Sequence, residues 1–352
     1  MRIILDVMSG DHSPHEILKG AALAKKEYPS LEITVVGDQA VIDTVMKDEG
    51  ILIPGLNVVH ADTVVTMEDK SMCVIHDKKN SSMGVGLRLL AEGKGDAFVS
   101  AGNTGALLTG ASLIVKRMKG VSRPGIASIL PLSTPLMVLD SGANLTVTDT
   151  DIELFAIMGS VYMKKIYNIP SPRVGLANNG TEPTKGLDLH LLSYKRLSEN
   201  KSINFIGNVE GKEIPFSPCE ILVTDGFTGN MILKMAEGMS RFMLRTVKSV
   251  FYTNPFTKLC GLVLRPHIKT LKKRFDATEH GGAPILGVRK PVIKAHGSSD
   301  ANAIKNAIRQ AMSFTLDGVM NEIESAALSF DQRKRAEAEL AREKRIGSAE
   351  KE

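Results

Sequence analysis

Tryptophan is absent from this 352-residue sequence, and only 5% of its residues are aromatic. Modules that bind nucleic acid by stacking bases on aromatic side chains are therefore not expected. The three cysteines, Cys73, Cys219 and Cys260, lie far apart and form no CxxC pair, which predicts reduced, buried thiols in a cytosolic protein. No run of about 18 apolar residues occurs, so no membrane-spanning helix is predicted. The chain begins directly with a strand pattern, which predicts no signal peptide.

Motifs for nucleotide binding and for covalent catalysis are missing as well. The sequence has no GxxxxGKS or GxxxxGKT loop and no GxSxG nucleophile elbow. The GxGxxG fingerprint also fails, because Gly84 and Gly86 lie inside a helical pattern and no third glycine follows at the required spacing. A P-loop enzyme, a Rossmann dehydrogenase and an enzyme with an acyl-enzyme nucleophile are thus not predicted.

The chain does contain a long alternation of apolar, β-rich runs with helical patterns, at an ordinary 43% hydrophobic and 24% charged residues. This alternation predicts an α/β protein with a mainly parallel sheet and helices on both faces, in three α/β/α layers. Residues 1–328 are interpreted as one domain. Local patterns predict a capping box at Ser13 and Glu16, helices over 72–79 and 104–119, and a hairpin of strands 126–130 and 136–139.

Nearly every predicted strand is followed by Gly, Asn, Asp or Ser. Because the carboxyl ends of parallel strands line the ligand crevice of an open α/β sheet, these segments predict a polar cleft rich in backbone donors. Turn chemistry alone accounts for part of the pattern. The main segments are SGDHSP (9–14), AGNTG (101–105), DSGAN (140–144), NNGTEPTKG (178–186), DGFTGN (225–230) and HGSSD (296–300).

The clearest of these segments is FVSAGNTGALLTGA, residues 98–111. An apolar strand ends at Ser100, a glycine-rich turn follows, and a helical pattern begins near Thr104. This order presents backbone N–H groups at a positive helix end, which suits phosphate or another anion. A tight turn without a ligand is the other interpretation, and both stay open on these residues alone.

Three potential metal ligands occur together near the start of the chain. His12, His15 and Glu16 stand at a predicted helix start. Two histidines three residues apart at such a place are more often a cap and a surface residue than ligands. No metal site is predicted.

Residues 239–276 form a basic segment that lacks acidic residues as far as position 275. It contains nine Lys or Arg, and Asn254-Pro255 divides it into two helical patterns. Cations around apolar residues at the tip of a helical hairpin are typical of a segment that lies in the bilayer interface. Peripheral contact with an anionic membrane is predicted, with a dimer interface or docking of an acidic carrier protein as alternatives. The apolar residues expected to touch the membrane are Phe256, Leu259, Leu262, Val263 and Leu264.

The last residues, 329–352, mix both charges with almost no large apolar side chains. Such a composition buries little apolar surface. A frayed helix or a disordered tail is predicted there.

A family resemblance rests on many short stretches in one order. On them, the chain resembles the phosphate acyltransferase family (PlsX), over about residues 1–325. Small departures occur at Ser9, at Asn80 and in the loop 181–184, where the family usually has Gly, Asp and a more acidic loop. The matching stretches are MSGDHSP, NSSM, SAGNTGALLTGA, LDSGAN, FAIMGSVY, PRVGLANNG, INFIGNVEG, DGFTGN, EHGGAPILGV and IKAHGSSDANAIKNAI.

The resemblance implies a fold like that of isocitrate and isopropylmalate dehydrogenases and phosphotransacetylase, with a protruding helical hairpin. It also implies a homodimer and no organic cofactor. Lys185 and Asn230 fall where the family has residues important for catalysis. Without the resemblance, Lys185 reads as a solvated lysine and Asn230 as a helix cap.

Roles follow for the cleft if the resemblance holds. Lys185 would hold phosphate, Asn230 would donate to an oxyanion, and His12, otherwise a turn residue, would carry a proton. Asp140 is interpreted as orienting a loop, a role that also suits Asp225. The predicted phosphate- or substrate-binding residues are Ser100, Gly102, Asn103, Thr104, Gly105, Asn144 and Asp225.

The function implied by the resemblance is conversion of acyl-acyl carrier protein and inorganic phosphate into acyl phosphate and free carrier protein. This step would feed glycerol-3-phosphate acylation in phospholipid synthesis, in a cytoplasmic protein attached peripherally to the membrane. Acyl carrier protein, phosphate and a second copy of the chain are the expected partners, and nucleic acid is not. The alternatives are a phosphotransacetylase-like enzyme that uses acyl-coenzyme A, and a non-catalytic module that docks acyl carrier protein at the membrane.

Overall fold

The computed structural model describes residues 1–130, 132, 134–274, 281–316 and 318–349. The first elements along the chain are β1 (Arg2–Asp6), α1 (His15–Glu27), β2 (Glu32–Gly37), α2 (Gln39–Asp48), β3 (Asn57–His60), α3 (Ser82–Ala91), β4 (Ala97–Ser100), α4 (Thr104–Gly110), β5 (Gly125–Leu130) and β6 (Leu136–Leu139). The later elements are α5 (Asp149–Ile166), β7 (Arg173–Asn178), α6 (Asp188–Glu199), β8 (Asn204–Glu210), β9 (Ile221–Val223), α7 (Gly226–Phe251), α8 (Pro255–Arg274), β10 (Ala283–Leu286), β11 (Val292–Lys294), α9 (Ala301–Leu316) and α10 (Val319–Ala349).

The described strands form one eleven-stranded sheet in the order β3-β2-β1-β4-β11-β10-β5-β6-β9-β7-β8. Seven of the ten neighbouring pairs in this sheet are parallel, which confirms the mainly parallel α/β prediction. The three antiparallel pairs are β11-β10, β10-β5 and the predicted hairpin β5-β6. Because the direction reverses three times, β6, β9, β7 and β8 run opposite to the first five strands in this order.

Alternate strand residues pack into different layers, because successive side chains of a strand point to opposite faces. Ile3 and Leu5 of β1 belong to a core formed with α1, α5, α9 and α10. Ile4, between them, packs instead with Leu87 of α3 and Leu107 of α4. Helices therefore cover both faces of the sheet, and the predicted three-layer arrangement is confirmed.

Three local predictions about helices differ from the structure. The Ser13 hydroxyl donates to the carbonyls of Met8 and Gly10 (3.0 and 2.8 Å) and does not cap α1. Glu16, the expected partner in that capping box, instead accepts from Ala301 N (2.8 Å) at the start of α9. Residues 72–79 form only a short 3-10 turn, Ser71–Val74, and α4 passes into a π-helical segment, Ala111–Lys116.

The end of the packed region lies beyond residue 328, which is inside α10. Phe330 is buried, and Arg333 forms an ion pair with the buried Glu153. Glu337 also lies 3.4 Å from Arg196. Residues 331–349 continue the helix α10.

Helices α7 and α8 form the predicted helical hairpin. Asn254 Oδ1 accepts from Thr257 N (2.9 Å), which fixes the start of α8 after the turn. The two helices approach closely at Gly261, where a Cβ would lie 3.1 Å from the Cβ of Phe251. None of the described helices is long and apolar enough to cross a membrane. The predicted tip residues are between 41% and 73% exposed: Phe256, Leu259, Leu262, Val263 and Leu264.

Two of the three cysteines behave as predicted. Cys73 and Cys219 are buried and form no disulfide bond. Burial raises the pKa of Cys219 to about 12. The side chain of Cys260 lies outside the described residues, as do positions 275 and 276 of the basic segment.

Candidate active site

A cavity of about 500 Å³ lies in the middle of the sheet, where its two oppositely directed halves meet. Strand β5 contributes Ile126 and Ser128, and Ser141 follows β6. The hydroxyls of Ser128 and Ser141 are 2.6 Å apart, and Ser141 donates to the carbonyl of Ile126 (3.0 Å). Other residues that line the cavity are Thr104, Gly142, Asn230, Leu233, Lys234, Glu237, Arg241, Leu244, Lys294, His296 and Ser298.

The glycine turn after β4 is held by the buried Asp6. Ser100 Oγ donates to the Asp6 carboxylate (2.7 Å) and accepts from Gly102 N (3.1 Å). Burial raises the pKa of Asp6, although hydrogen bonds from neighbouring hydroxyls oppose this shift. A Cβ at Gly102 would lie 2.7 Å from the Met83 side chain and 2.8 Å from Ser9 Cβ, so the close packing of the turn requires glycine.

The Asn103 side chain is used inside the protein. Its Nδ2 donates to the carbonyls of Thr66, Met67 and Asp69, each at 3.1 Å, and its Oδ1 accepts from Ala106 N (3.0 Å). The side chain therefore fastens a neighbouring loop and caps α4, which leaves no amide hydrogen for a ligand. The N–H group of Ala106 is thus occupied, whereas those of Thr104 and Gly105 have no partner within the helix.

The loop after β6 is built around Asp140. Its carboxylate accepts from the backbone N–H groups of residues 126 and 142–144, at 2.7 to 3.1 Å. The Asn144 amide donates to the same carboxylate (2.9 Å) and to the carbonyl of Pro124 (2.8 Å). Burial raises the pKa of Asp140, against the effect of these hydrogen bonds. Asp140 thus orients a loop, and the Asn144 side chain is committed to the same network.

The first turn of α7 packs directly on this loop. Asp225 caps the helix by accepting from Thr228 N (2.9 Å) and Thr228 Oγ1 (2.7 Å). A Cβ at Gly229 would lie only 1.8 Å from the Asp140 carbonyl oxygen. The glycine is therefore required by close contact, and the Asp225 carboxylate has a structural role.

Asn230 follows on the side of α7 that lines the cavity. A Cβ at Gly142, whose φ is +139°, would lie 3.6 Å from Asn230 Cβ. Unlike the amides of Asn103 and Asn144, the Asn230 amide makes no hydrogen bond within the described part of the chain. It is free to donate to a substrate.

A basic residue of the stretch IKAHGSSDANAIKNAI, to which the sequence assigned no role, stands at the end of β11. Lys294 pairs in register with Ser100 of β4. Its Nζ donates to the carbonyl of Ala101 (3.3 Å) and to that of Ala295. Across the described residues, no carboxylate oxygen lies within ion-pair distance of this ammonium group.

The carboxylate of Glu237 lies near the other three basic groups of the cavity. Glu237 Oε2 lies 3.0 Å from Lys234 Nζ, 3.8 Å from His296 Nε2 and 3.9 Å from the Arg241 guanidinium. Lys234 Nζ is 3.3 Å from His296 Nε2, and His296 Nδ1 is 2.9 Å from Ser298 Oγ. Among the described lining residues, positive charge is in excess.

Burial shifts the titration of these groups towards their neutral forms. It lowers the pKa of Lys294 to about 8, and the nearby charge of Lys234 adds to the shift while two carboxylates oppose it. Burial also lowers the pKa of His296, against the effect of Glu237. The ammonium group of Lys294 is partly buried, and partial removal from water strengthens its interaction with an anion.

Only some of the sequence-predicted residues meet at the cavity. Thr104 and Asn230 line it, and Ser100 lies beside it through its pairing with Lys294. Lys185 is exposed in the loop after β7, and His12 is exposed in the loop after β1. Neither is among the lining residues.

The position of each strand in the sheet explains this separation, because β1 lies further from the centre than β4, and β7 further than β9. The ends of β4, β11, β6 and β9 lead into the cavity, but the loops after β2, β7 and β8 do not line it. The expected single row of strand ends is therefore present only near the centre of the sheet. Lys294 lies in the stretch IKAHGSSDANAIKNAI, but its apolar strand pattern indicated no role, because that role depends on the neighbouring strand β4.

The potential metal ligands near the chain start have other partners. His15 Nδ1 lies 2.9 Å from Glu49 Oε1, and Glu16 binds the start of α9. No group of three or more His, Cys, Asp or Glu side chains within the described ranges is arranged to hold a metal ion.

Comparison with known proteins identifies close relatives along nearly the whole chain. A family model described as "Fatty acid synthesis protein" matches residues 1–322. A phosphate acyltransferase from Thermoanaerobacter pseudethanolicus is 44% identical over 324 residues, covering 92% of this chain and 96% of the relative. A phosphate acyltransferase from Caldanaerobacter subterraneus is 43% identical over 335 residues, covering 94% and 99%.

Solved structures with the same architecture are more distant in sequence. A phosphotransacetylase from Streptococcus pyogenes matches with a TM-score of 0.59 at 16% identity, covering 93% of both chains. A phosphotransacetylase from Staphylococcus aureus matches with a TM-score of 0.55 at 15% identity, covering 93% of this chain and 94% of the other. At such identities the likeness concerns the fold, and it agrees with the α/β architecture.

Proposed function

The chain belongs to the fatty acid synthesis protein family, in which its curated relatives are phosphate acyltransferases, and we propose that it transfers an acyl group from acyl-acyl carrier protein to inorganic phosphate. The products are acyl phosphate and free carrier protein. Acyl phosphate is an activated acyl donor, so the reaction would feed glycerol-3-phosphate acylation in phospholipid synthesis.

The proposed chemistry needs no protein nucleophile. An oxygen of HPO₄²⁻ attacks the thioester carbonyl carbon, and a C–O bond forms as the carbonyl oxygen becomes an oxyanion. The C–S bond then breaks, and the departing thiolate takes the proton that phosphate releases. Because a thiol has a pKa of about 8.5, it leaves readily as a thiolate. The protein must therefore hold the phosphate near the thioester and stabilise the oxyanion.

The free amide of Asn230, facing the central cavity beside the first turn of α4, carries this proposal. A neutral amide donor suits an oxyanion, and the backbone N–H groups of α4 suit phosphate. Apolar side chains of Leu233, Leu244 and Ile129 line the same cavity and provide contact for an acyl chain.

Lys185 remains the second catalytic candidate, on the family pattern. Its loop is fixed by a hydrogen bond from Asn178 Nδ2 to the Lys185 carbonyl (3.0 Å). Since Lys185 and His12 lie outside the cavity, either would act only if a bound substrate or a second copy of the chain brought the reacting atoms to it.

An assay of phosphate-dependent thioester cleavage tests the proposal. The chain is incubated with phosphate and either acyl-acyl carrier protein or acyl-coenzyme A, and acyl phosphate is trapped with hydroxylamine. We expect acyl phosphate to form with a preference for the carrier-protein thioester. Preference for acyl-coenzyme A would favour the phosphotransacetylase-like alternative, and no cleavage of either donor would favour a non-catalytic docking module.

The exposed hairpin supports a second part of the proposal, peripheral contact with an anionic membrane. Its apolar tip residues are surrounded by exposed basic side chains, including Lys248, Lys258 and Arg265. The ammonium groups of Lys248 and Lys258 both lie 5.7 Å from the Tyr252 ring centroid. Apolar side chains ringed by cations favour insertion beside anionic headgroups.

An exposed apolar stripe along α7 supports the proposed homodimer. Its members recur at helical spacing, so they share one face of the helix. An exposed face of this kind is typical of an interaction surface, and light scattering of the purified chain would report the expected dimer. The stripe consists of Phe227, Met231, Met235, Met239 and Phe242.

A further inference from the structure

The cavity holds a partly buried ammonium group to which no motif had assigned a role. We propose that Lys294, with Lys234 and His296 beside it, binds the inorganic phosphate of the reaction. The identity of the anion rests on the proposed function, whereas the site itself rests on the geometry of this cluster.

The backbone fixes the position of Lys294 Nζ. Carbonyl oxygens of Ala101 and Ala295 each accept one hydrogen from it. An ammonium group has three hydrogens, so one remains for a ligand in the cavity that Lys294 lines. A lysine held by two carbonyls offers its third hydrogen in a defined direction.

Charge balance favours an anion at this place. No described carboxylate forms an ion pair with Lys294, and Glu237 is already shared by Lys234, His296 and Arg241. Asp6 and Asp11 favour the charged form of Lys294 from a longer distance, and a partly buried ammonium gains further from an anion bound in direct contact with it. Phosphate dianion would be such an anion.

The same position suits the reaction geometry. Lys294 Nζ is held by the carbonyl of Ala101, the first residue of the glycine turn, and Thr104 after that turn lines the same cavity. Asn230 lines the same cavity, which would place the oxyanion donor next to the bound nucleophile. Lys185, by contrast, is exposed outside the cavity.

Calorimetric titration with inorganic phosphate, without any acyl donor, tests the site. Lys294→Met removes the charge but keeps most of the length of the side chain, and we expect the dissociation constant for phosphate to rise at least about tenfold. Lys234→Met should raise it about threefold, since Lys234 is more exposed and already paired. Lys290→Met is the matched control. Lys290 precedes β11, does not line the cavity, and its removal should leave phosphate binding unchanged.

Omitting the acyl donor also separates inorganic phosphate from the phosphodiester of a carrier's prosthetic arm, which offers the same chemistry. In the full assay, Lys294→Met should raise KM for phosphate and leave KM for the acyl donor within about twofold. Equal changes in both constants would overturn the assignment to inorganic phosphate.

Because a variant could fail to fold, a second measurement uses the unmutated chain. Phosphate should slow modification of Lys294 by an amine-directed reagent, read by mass spectrometry, without slowing that of Lys290. Wild-type phosphate affinity in folded Lys294→Met, or no protection of Lys294, would overturn the proposal. Loss of affinity in Lys185→Met alone would move the site to the loop after β7. If Lys294 binds phosphate but the chain forms no acyl phosphate, the site stands and the proposed function fails.

Discussion

The two ends of α7 differ in how they are held. At its base, Asp225 caps the helix and Gly229 lies against the Asp140 carbonyl, so the backbone position is fixed from two sides. Beyond Glu237 most of its residues are exposed, and α8 is its partner at the far end, where Gly261 meets Phe251. One continuous helix of 26 residues thus joins a tightly packed site to an exposed basic hairpin.

The two ends of α7 therefore suit two different functions. Oxyanion stabilisation needs a donor fixed to within fractions of an ångström, which close packing at the base provides. Contact with a fluid lipid surface needs exposed apolar and cationic side chains, without a unique geometry. Substitutions at the base should therefore affect stability and turnover, and substitutions at the tip should affect membrane binding alone.

Alanine substitutions at two glycines of α7 should differ most in their effect on the free energy of unfolding. Gly229→Ala would place a Cβ 1.8 Å from the Asp140 carbonyl oxygen, and we expect a loss of about 3 kcal/mol or more in the free energy of unfolding. Gly238→Ala meets no atom within 4 Å and should stabilise the helix by about 0.5 to 1 kcal/mol. Urea denaturation measures both. Equal destabilisation by the two changes would contradict the contrast between base and tip.

Asn230→Ala should give the next largest effect. Removal of one oxyanion donor lowers kcat by about 100- to 1000-fold, with little change in the melting temperature, because the amide makes no hydrogen bond within the described residues. Thr246→Ala, on the distal part of the same helix, is the control and should retain wild-type turnover. Wild-type kcat in Asn230→Ala would remove this residue from the proposed mechanism.

Leu262→Glu tests whether the tip of the hairpin contacts an anionic membrane. Leu262 is 64% exposed, and a carboxylate at this position would be repelled by anionic headgroups. We expect flotation with anionic vesicles to fall at least about tenfold, while turnover of dissolved substrates stays unchanged. Leu52→Glu is a matched control, because Leu52 is 84% exposed and lies far from the hairpin in sequence. If the wild-type chain does not float, or both variants float equally, the membrane proposal fails and the dimer or carrier-protein interpretation gains support.

Local chemistry made part of the molecule predictable from sequence. Alternating strands and helices indicated the layers, and Asn254-Pro255 indicated the hairpin turn, because each depends on neighbours in the chain. The role of Asp140 as a loop organiser was predictable for the same reason, since its acceptors and donors lie within a few residues apart from β5.

Partners distant in sequence were not predictable in this way. The Asn103 side chain is occupied by carbonyls more than thirty residues earlier in the chain, so its residue type alone suggested a binding role that its contacts do not leave open. The rule that strand ends share one edge assumed a uniform direction, and three antiparallel pairs near the centre break it. The role proposed for Lys294 in phosphate binding likewise depends on the pairing of β11 with β4, which is distant in sequence.

The pH dependence of phosphate use should give the smallest effect, and it sharpens the comparison at the base. Since the pKa of Lys294 is about 8, the ammonium is charged below that pH and loses its proton as the pH rises through it. Asp6 and Asp11 favour the charged form and Lys234 disfavours it, while Glu237 and His296 face the same cavity. KM for phosphate should therefore rise about tenfold between pH 7 and 9, whereas vesicle binding by the hairpin, to which Lys294 does not belong, should not change. Lys294→Met should abolish the rise in KM and Lys290→Met should keep it. A rise that persists in Lys294→Met would assign the titration to another group of the cavity.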